Sequence, residues 1–413
     1  MDSRIFFADP KAGTTKTYSG LVEDLNKMTH FPKYVYNQSV YELYLSLIHS
    51  LTYGYKITVV DRDVSSAELA NYGIDEESLN EEYTLPERKT LRLSALLENK
   101  NSWSVDLFTS GTTGMPKKIT QSYDILTRNV KVGPNYLQDV WGSGYNPTHM
   151  AGLQVLFQAF NNGNSLINLF ELDGRKLLKA INKYRVNSIS ATPSLFRVIA
   201  HESEWVSTSI NRLTMGGEPF DSELSKRLAE IFPQAKIRNI YASTEAGSLL
   251  TSKNGFFSIP LEKATFIKID SNNQLLLHRS LLAKSKDLDL VGDWYLTGDV
   301  VEFTESNVFK IVGRENEGIN VGGYVVNPNE VEQEINKIDF VTESLVYAKE
   351  SKLIGNILVV DIVLNEPDLL TISEAEYQIS QLLSKSLQRW KVPRIFHFCE
   401  NIKLTRSGKK VRL

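Results

Sequence analysis

The stretch Asp106–Ile119 reads DLFTSGTTGMPKKI and is the segment that indicates the fold most clearly. Its first residues are typical of a short buried strand, and glycines and hydroxylated residues follow directly. Such a loop lets backbone N–H groups and hydroxyls approach phosphate oxygens closely. It is not a Walker A loop, because Pro116 stands where that motif requires a glycine. We therefore predict a phosphate-binding loop with Lys117 as an added charge; the alternative is a glycine-rich surface turn.

Strand-like and helical segments alternate beyond this loop. Short apolar segments occur at Gly163–Leu169, Asn187–Ala191 and Lys236–Tyr241. Helical patterns occur between them at Asp173–Tyr184 and Ser222–Phe232. This alternation is typical of an α/β domain with largely parallel strands.

The pattern changes twice toward the C-terminus. From about Phe256 to Ile311 the apolar segments are short and bounded by turns, which predicts a small antiparallel sheet. After Gly313–Asn316, helical and strand-like segments form a third pattern that ends in a basic tail. We predict an N-terminal domain over 1–312, a hinge over 313–316 and a C-terminal domain over 317–413.

Composition excludes several classes of protein. The chain has 413 residues, a net charge of −3 and a single cysteine. Its charge gives no general attraction to nucleic acid or membranes, and one cysteine allows neither an intrachain disulfide nor a cysteine-based zinc site. We find no secretory signal and no apolar stretch of roughly 20 residues that could span a bilayer. We therefore expect a cytoplasmic protein with no nucleic-acid partner.

Six ordered motifs resemble those of one large family. They are the loop Thr109–Lys117, Gly216–Pro219, Tyr241–Gly247, Trp294–Asp299, the segment from Gly313 to Glu332, and Leu404–Lys409. In order and spacing they resemble the adenylate-forming superfamily of acyl- and aryl-CoA ligases, peptide-synthetase adenylation domains and luciferases. The resemblance covers roughly residue 39 to the C-terminus. It implies an α/β fold with a large N-terminal core, a small antiparallel β subdomain and a small mobile α+β C-terminal domain.

The resemblance also implies how nucleotide would bind. The family joins a carboxylate to the α-phosphate of ATP and expels pyrophosphate, with Mg²⁺ assisting. The implied ATP-binding residues are Thr109, Ser110, Gly111, Thr112, Thr113, Gly114, Lys117, Gly217, Glu218, Tyr241 and Asp299. The implied catalytic residues are Thr244, Glu245 as the metal ligand, Arg314 and Lys409. From composition alone, the tail around Lys409 is typical of a solvated or polyanion-binding segment.

The acid pocket and the thiol path are implied by further segments. The pocket residues are His149, Met150, Gly152, Thr192, Pro193 and Gly216, and the thiol tunnel contains Gly322 and Gly323. Amino-acid-activating domains usually have an aspartate in the region of His149, so we expect an acid without a free α-amine. Asn316 stands at the hinge, where most acyl-CoA ligases have an acidic residue, and this departure bears on how the domain rotation is controlled.

The sequence thus predicts an acid–thiol ligase. It would form an acyl-AMP and transfer the acyl group to a thiol, with CoA favoured over a phosphopantetheine-bearing carrier protein. One alternative is the activation of an amino or hydroxy acid for a carrier protein, and another is a non-catalytic binding paralogue. The phosphate loop begins early in the chain, which predicts a reduced first N-terminal subdomain. The identity of the acid and the oligomeric state stay open.

Overall fold

The computed structural model describes residues 2–62, 64–85, 90–109, 117–201, 209–218, 222–252, 254–288, 290–305, 307–321, 324–351, 355–366, 370–403, 410 and 412. These residues form ten α-helices: α1 (Tyr18–Lys27), α2 (Val40–Tyr53), α3 (Ser66–Ala70), α4 (Tyr123–Thr127), α5 (Met150–Phe160), α6 (Gly174–Tyr184), α7 (Pro193–His201), α8 (Ser222–Ile231), α9 (Pro328–Ile335) and α10 (Ile372–Ser386). They also form twenty-five strands: β1 (Ile5–Asp9), β2 (Thr14–Thr17), β3 (His30–Pro32), β4 (Tyr34–Tyr36), β5 (Ile57–Val60), β6 (Glu82–Thr84), β7 (Ser104–Thr109), β8 (Lys117–Ser122), β9 (Val140–Ser143), β10 (Ser165–Asn168), β11 (Ser188–Ala191), β12 (Arg212–Gly216), β13 (Lys236–Ser243), β14 (Gly247–Ser252), β15 (Phe257–Ser258), β16 (Ile267–Ile269), β17 (Gln274–His278), β18 (Leu290–Val291), β19 (Trp294–Glu305), β20 (Val308–Arg314), β21 (Ile319–Val321), β22 (Tyr324–Val326), β23 (Val341–Ser351), β24 (Gly355–Leu364) and β25 (Ile395–Phe398).

The largest sheet has eight strands in the order β14-β13-β12-β11-β9-β10-β1-β2. Its six inner strands are parallel, whereas β14 and β2 run antiparallel at the two edges. Leu166 and Ile167 are neighbours in β10 but belong to two separate apolar cores, because successive strand side chains point to opposite faces. One core includes α1, α2 and α5, and the other includes α6, α7 and α8. The predicted α/β core is confirmed.

Three smaller sheets complete the N-terminal part, one of them the two-stranded sheet β3-β6. Strands β4, β5 and β7 are parallel, and β8 returns antiparallel to β7, so that Thr109 pairs with Lys117. The predicted antiparallel sheet is also confirmed, in the order β15-β20-β19-β17-β16 with β18 beside β19. It has its own core around Phe257, Leu277 and Phe309.

The C-terminal part is built around a separate apolar core that begins at Ile319. This core unites α9 and α10 with the sheet β23-β24-β25. Strand β20 ends at Arg314 and a short 3-10 turn, Glu315–Glu317, leads into this part. The separation is compatible with the predicted hinge at 313–316, and the exact domain bounds stay predictions.

Local sequence explains where individual helices begin and end. Ser39 caps α2 and forms a reciprocal capping box with Glu42, and Gly54 ends the helix with φ of 71°. Asp173 caps α6 without a capping box, because its side chain only accepts a hydrogen bond from the backbone N–H of Lys176. None of the helices within the described ranges is long and apolar enough to cross a membrane.

Candidate active site

A deep cavity opens where parallel strands of the largest sheet end. Ligands of open α/β sheets bind beyond the carboxyl ends of such strands. Here β11, β12 and β13 end close to Thr192, Gly217 and Thr244. A cavity of about 620 Å³ begins at these residues and continues between the sheet and helices α4 and α5.

The cavity brings together some of the predicted pocket residues. His149, Met150, Thr192 and Gly216 line it, as do Gly217 from the predicted ATP-binding set and Thr244 from the predicted catalytic set. Gly152 and Pro193 lie in α5 and α7 and are not among the lining residues. Gly152 instead permits close packing, since a Cβ atom there would stand 2.3 Å from the carbonyl oxygen of Asn146.

Tyr241 and Arg314 meet on the carboxylate of Asp299, which is only 6% exposed. The Tyr241 hydroxyl donates to Oδ2 at 2.5 Å, and Nε of Arg314 donates to Oδ1 at 3.1 Å. Burial and then the Asp299 charge raise the pKa of Tyr241, which keeps the phenol a donor. A carboxylate has about four acceptor positions. About two therefore remain on Asp299, enough for the two hydroxyls of a ribose.

The turn between β13 and β14 presents Thr244 and Glu245. The Gln121 side-chain amide donates to the Thr244 carbonyl oxygen, and the Ala283 N–H donates to the Glu245 carbonyl oxygen at 2.7 Å. Partial burial lowers the pKa of Arg314, but Asp299 raises it most, followed by Glu317, Tyr241 and, most weakly, Glu245, so Glu245 lies within electrostatic reach of Arg314.

This turn fits a magnesium ion. Mg²⁺ prefers oxygen ligands and is usually held by one or two carboxylates together with substrate phosphates. The Glu245 carboxylate is half-buried and has no hydrogen-bond partner among the described residues. Within that same part of the chain, no three His, Cys, Asp or Glu side chains form a metal-binding cluster. An ion at Glu245 would thus depend on phosphate oxygens and water for its other ligands.

Glu218, which follows β12, connects the cavity side of the largest sheet to the C-terminal part. Its carboxylate accepts hydrogen bonds from the backbone N–H and the hydroxyl of Ser194, at 3.0 and 2.9 Å. Burial raises the pKa of the Glu218 carboxyl. The Ser194 hydroxyl oxygen also lies 3.0 Å from Oε1 of Glu343 of β23, so its single proton is donated to only one of the two carboxylates at a time, and Arg197 contacts Glu343 at 3.1 Å. The start of α7 therefore joins the two parts of the chain through a buried set of charges.

His149 is held at the cavity wall by a carboxylate that sequence reasoning missed. Its Nε2 lies 3.4 Å from Oδ2 of Asp61, which directly follows β5 and is buried. Asn146 donates to the same oxygen at 2.8 Å, and the Thr148 hydroxyl also donates to it. An acidic residue at the end of a buried strand was the available indication, but nothing in the sequence connects position 61 to position 149.

Several predicted residues lie outside the described part of the chain. These are Ser110, Gly111, Thr112, Thr113, Gly114, Gly322, Gly323 and Lys409, together with the side chains of Thr109 and Asn316. Their predicted roles rest on the sequence motifs.

The C-terminal tail contributes buried cations that the sequence did not assign. Lys410 lies 3.2 Å from Glu332, and Arg412 contacts the other oxygen of that carboxylate at 2.8 Å. Burial disfavours the ionised carboxylate, but these two cations lower the pKa of Glu332 overall. The tail is therefore anchored at residues 410 and 412 on α9, rather than solvated there.

Comparison with protein families gives two consecutive matches. The model of the AMP-binding enzyme family matches residues 43–266, and that of the AMP-binding enzyme C-terminal domain matches residues 330–409. Among curated relatives, a 2-succinylbenzoate–CoA ligase of Listeria monocytogenes is 25% identical, over 73% of this chain and 67% of that protein. A plipastatin synthase of Bacillus subtilis is 26% identical, over 73% of this chain and 13% of that protein.

Solved structures show the same fold. The o-succinylbenzoate CoA synthetase of Bacillus subtilis, in complex with its acyl-adenylate intermediate, matches with a TM-score of 0.72 at 19% identity. That match covers 99% of this chain and 94% of the other. ATP-bound MatB from Rhodopseudomonas palustris matches with a TM-score of 0.71 at 16% identity and the same coverages.

Proposed function

The chain belongs to the AMP-binding enzyme family, and from this premise we propose that it is an ATP-dependent acid–thiol ligase. The observation that carries the proposal is the Asp299 carboxylate, which Tyr241 and Arg314 hold beside the turn that presents Glu245. The Asp299 carboxylate would accept hydrogen bonds from a ribose, and the Glu245 carboxylate would bind a metal ion. Glu245 directly follows Thr244, which lines a cavity large enough for an organic acid.

The first half-reaction would join the acid to AMP. An oxygen of the substrate carboxylate attacks the α-phosphorus of ATP, the bond to the bridging oxygen breaks, and pyrophosphate leaves. Thr244 stands at the strand end where this phosphate would lie, and Arg314 contributes positive charge beside it. Mg²⁺, when bound at Glu245, would neutralise phosphate charge. Lys409 would stabilise the charge that develops between carboxylate and phosphate.

The second half-reaction would move the acyl group to a thiol. The thiolate attacks the acyl carbonyl, AMP leaves with the electron pair of the cleaved bond, and the thiol proton passes to solvent. We propose CoA as the acceptor because the CoA ligase relative named above uses it. The charges that join Ser194 and Arg197 to Glu343 lie between the two parts of the chain and would have to separate if the C-terminal part rotates.

The cavity lining favours an acid without an amine. None of the described residues that line the cavity is an aspartate or a glutamate. A substrate ammonium would therefore enter without a counter-charge, which is unfavourable in a partly desolvated site. This observation weighs against amino-acid activation, the enzymatic alternative.

The proposal is tested by product analysis of both half-reactions. The full chain would be incubated with ATP, Mg²⁺ and a panel of aryl, short-chain, long-chain and amino acids, and then with CoA. We expect AMP and an acyl-CoA in equal amounts, detected by mass spectrometry. Acyl-AMP that reacts with a phosphopantetheinyl carrier protein but not with CoA would replace the proposed acceptor. Products from amino acids alone would overturn the substrate class.

A further inference from the structure

The far end of the cavity is positively charged. Beyond the strand ends, the lining includes Arg212, Lys236 and Arg238 from the amino ends of β12 and β13. Lys131 joins them, and its backbone N–H and carbonyl oxygen are hydrogen-bonded by Gln158 near the end of α5. Four cations thus line one end of a cavity whose described lining contains no carboxylate.

Only one of these four cations has a described counter-charge. Arg212 lies 3.6 Å from Asp139, donates to the Asn135 carbonyl oxygen at 2.8 Å and covers the ring of Tyr136. These contacts hold its guanidinium in place. For the side chains of the three others, the described residues provide no ion pair or hydrogen bond.

A neutral donor lies at the same level of the cavity. Trp141 of β9 is aligned with Ser188 of β11, which is in turn aligned with Arg212 of β12. Its buried Nε1–H has no acceptor among the described residues, although the side chain lines the cavity. An acceptor on a ligand would satisfy this group, which otherwise costs free energy by being buried unpaired.

The geometry of β12 and of α5 gives two estimates of the distance between the strand ends, where the carboxyl group would react, and the cations. Strand β12 places Arg212 four residues before Gly216, which corresponds to about 13 Å along a strand. Arg238 is paired with Thr214, about 7 Å from Gly216. Helix α5 gives a similar distance, because Gln158, which contacts Lys131, lies eight residues or about 12 Å beyond Met150.

We infer that the acid substrate carries a second anionic group, which Arg238, Lys236 and Arg212 hold at the far end of the cavity. This inference rests on the proposed function and names the class of acid. An extended chain advances about 1.2 Å per bond, so the second group lies about six to eleven bonds from the reacting carboxyl. Lys236 and Arg238 are exposed and have no described counter-charge, so each can pair with a bound anion.

Matched pairs of acids test the inference in the pyrophosphate-exchange reaction. The pairs are hexanoic and adipic, octanoic and suberic, decanoic and sebacic, and dodecanoic and dodecanedioic acid. We expect at least one diacid to exceed its monoacid partner by about tenfold or more in kcat/KM. Phosphono and sulfo analogues of the preferred length then show whether the second anion must be a carboxylate.

Substitutions then locate the effect. Arg238→Met and Lys236→Met should each lower kcat/KM for the preferred diacid by about tenfold and leave the monoacid unchanged, while KM for ATP stays the same. Arg238→Glu should raise exchange with the ω-amino acid of the same length. Lys179→Met is the matched control, because Lys179 is an exposed cation of α6 on the opposite face of the sheet.

The possible failures are distinct. Equal use of diacids and monoacids, with no effect of Arg238→Met, would overturn this inference and leave the ligase proposal standing. A rise in KM for CoA with unchanged acid selectivity would assign the cations to CoA and also overturn it. If no acid supports exchange, calorimetry in the presence of an α,β-methylene ATP analogue measures whether the protein binds the diacid. Diacid binding that Arg238→Met abolishes supports the anion site without the ligase, and no binding overturns both.

Discussion

Asp299→Asn isolates the charge at the centre of the candidate nucleotide site. The substitution preserves side-chain shape but removes one acceptor oxygen and the charge that faces Arg314. If the two remaining acceptor positions of Asp299 hold ribose hydroxyls, each charge-assisted bond contributes about 1.5–3 kcal/mol and falls to about half that in the amide. The sum of the two losses, about 1.5–3 kcal/mol, corresponds to a roughly 10- to 150-fold weaker affinity for ATP.

Initial-rate kinetics of pyrophosphate exchange measure this effect. KM for ATP should rise by that factor, while KM for the acid changes little. The control is Asp293→Asn, because Asp293 lies in the same antiparallel sheet region, is 61% exposed in its side chain and contacts only the surface residue Arg279 in the described part of the chain. An unchanged KM for ATP in a folded Asp299→Asn protein would refute the assignment of Asp299 to the ribose.

Three other substitutions have defined outcomes. Lys409→Ala should nearly abolish acyl-adenylate formation but spare thiol transfer from a supplied acyl-adenylate, as rapid-quench assays of each half-reaction would show. Glu332→Gln removes the nearer of the two buried carboxylates beside Lys410, leaving Glu343 at 3.7 Å, and should lower the free energy of unfolding at pH 7 by about 1.5–3 kcal/mol. Because the pKa of Glu332 is lowered on folding, its stabilisation is present above the unfolded pKa and is lost as the pH falls through the folded value. The difference between the two proteins in urea denaturation should therefore shrink in acid. Gly152→Ala places a Cβ against the Asn146 carbonyl oxygen and should lower stability by about 1–3 kcal/mol in thermal unfolding.

Local patterns in the sequence predict the helices, strands and motifs that depend on residues close together in the chain. The helices at Asp173–Tyr184 and Ser222–Phe232 and the strand before Thr109 follow from local apolar patterns, and the structure confirms all three. The motifs that contain Tyr241, Asp299 and Arg314 were identified from order and spacing. The structure brings these three side chains into contact across two sheets.

Contacts between distant segments could not be predicted in this way. Strand β1 enters the largest sheet beside β10, a pairing that depends on residues far apart in the chain. Asp61 reaches His149, and Glu343 reaches Ser194, only through the fold. Charged residues such as Arg238 resemble ordinary surface cations in the sequence. Only the strand register shows that several of them share one end of a cavity.

The central claim is that this chain activates a carboxylic acid as an acyl-adenylate at the cavity beside α5. Acid-dependent exchange of labelled pyrophosphate into ATP measures that step alone, without any assumption about the thiol. We predict exchange that requires Mg²⁺ and an acid lacking an α-amine, and that is strongest with a diacid. A folded protein that binds ATP but shows no exchange with any acid in the panel would contradict the account and would indicate a binding protein rather than a ligase.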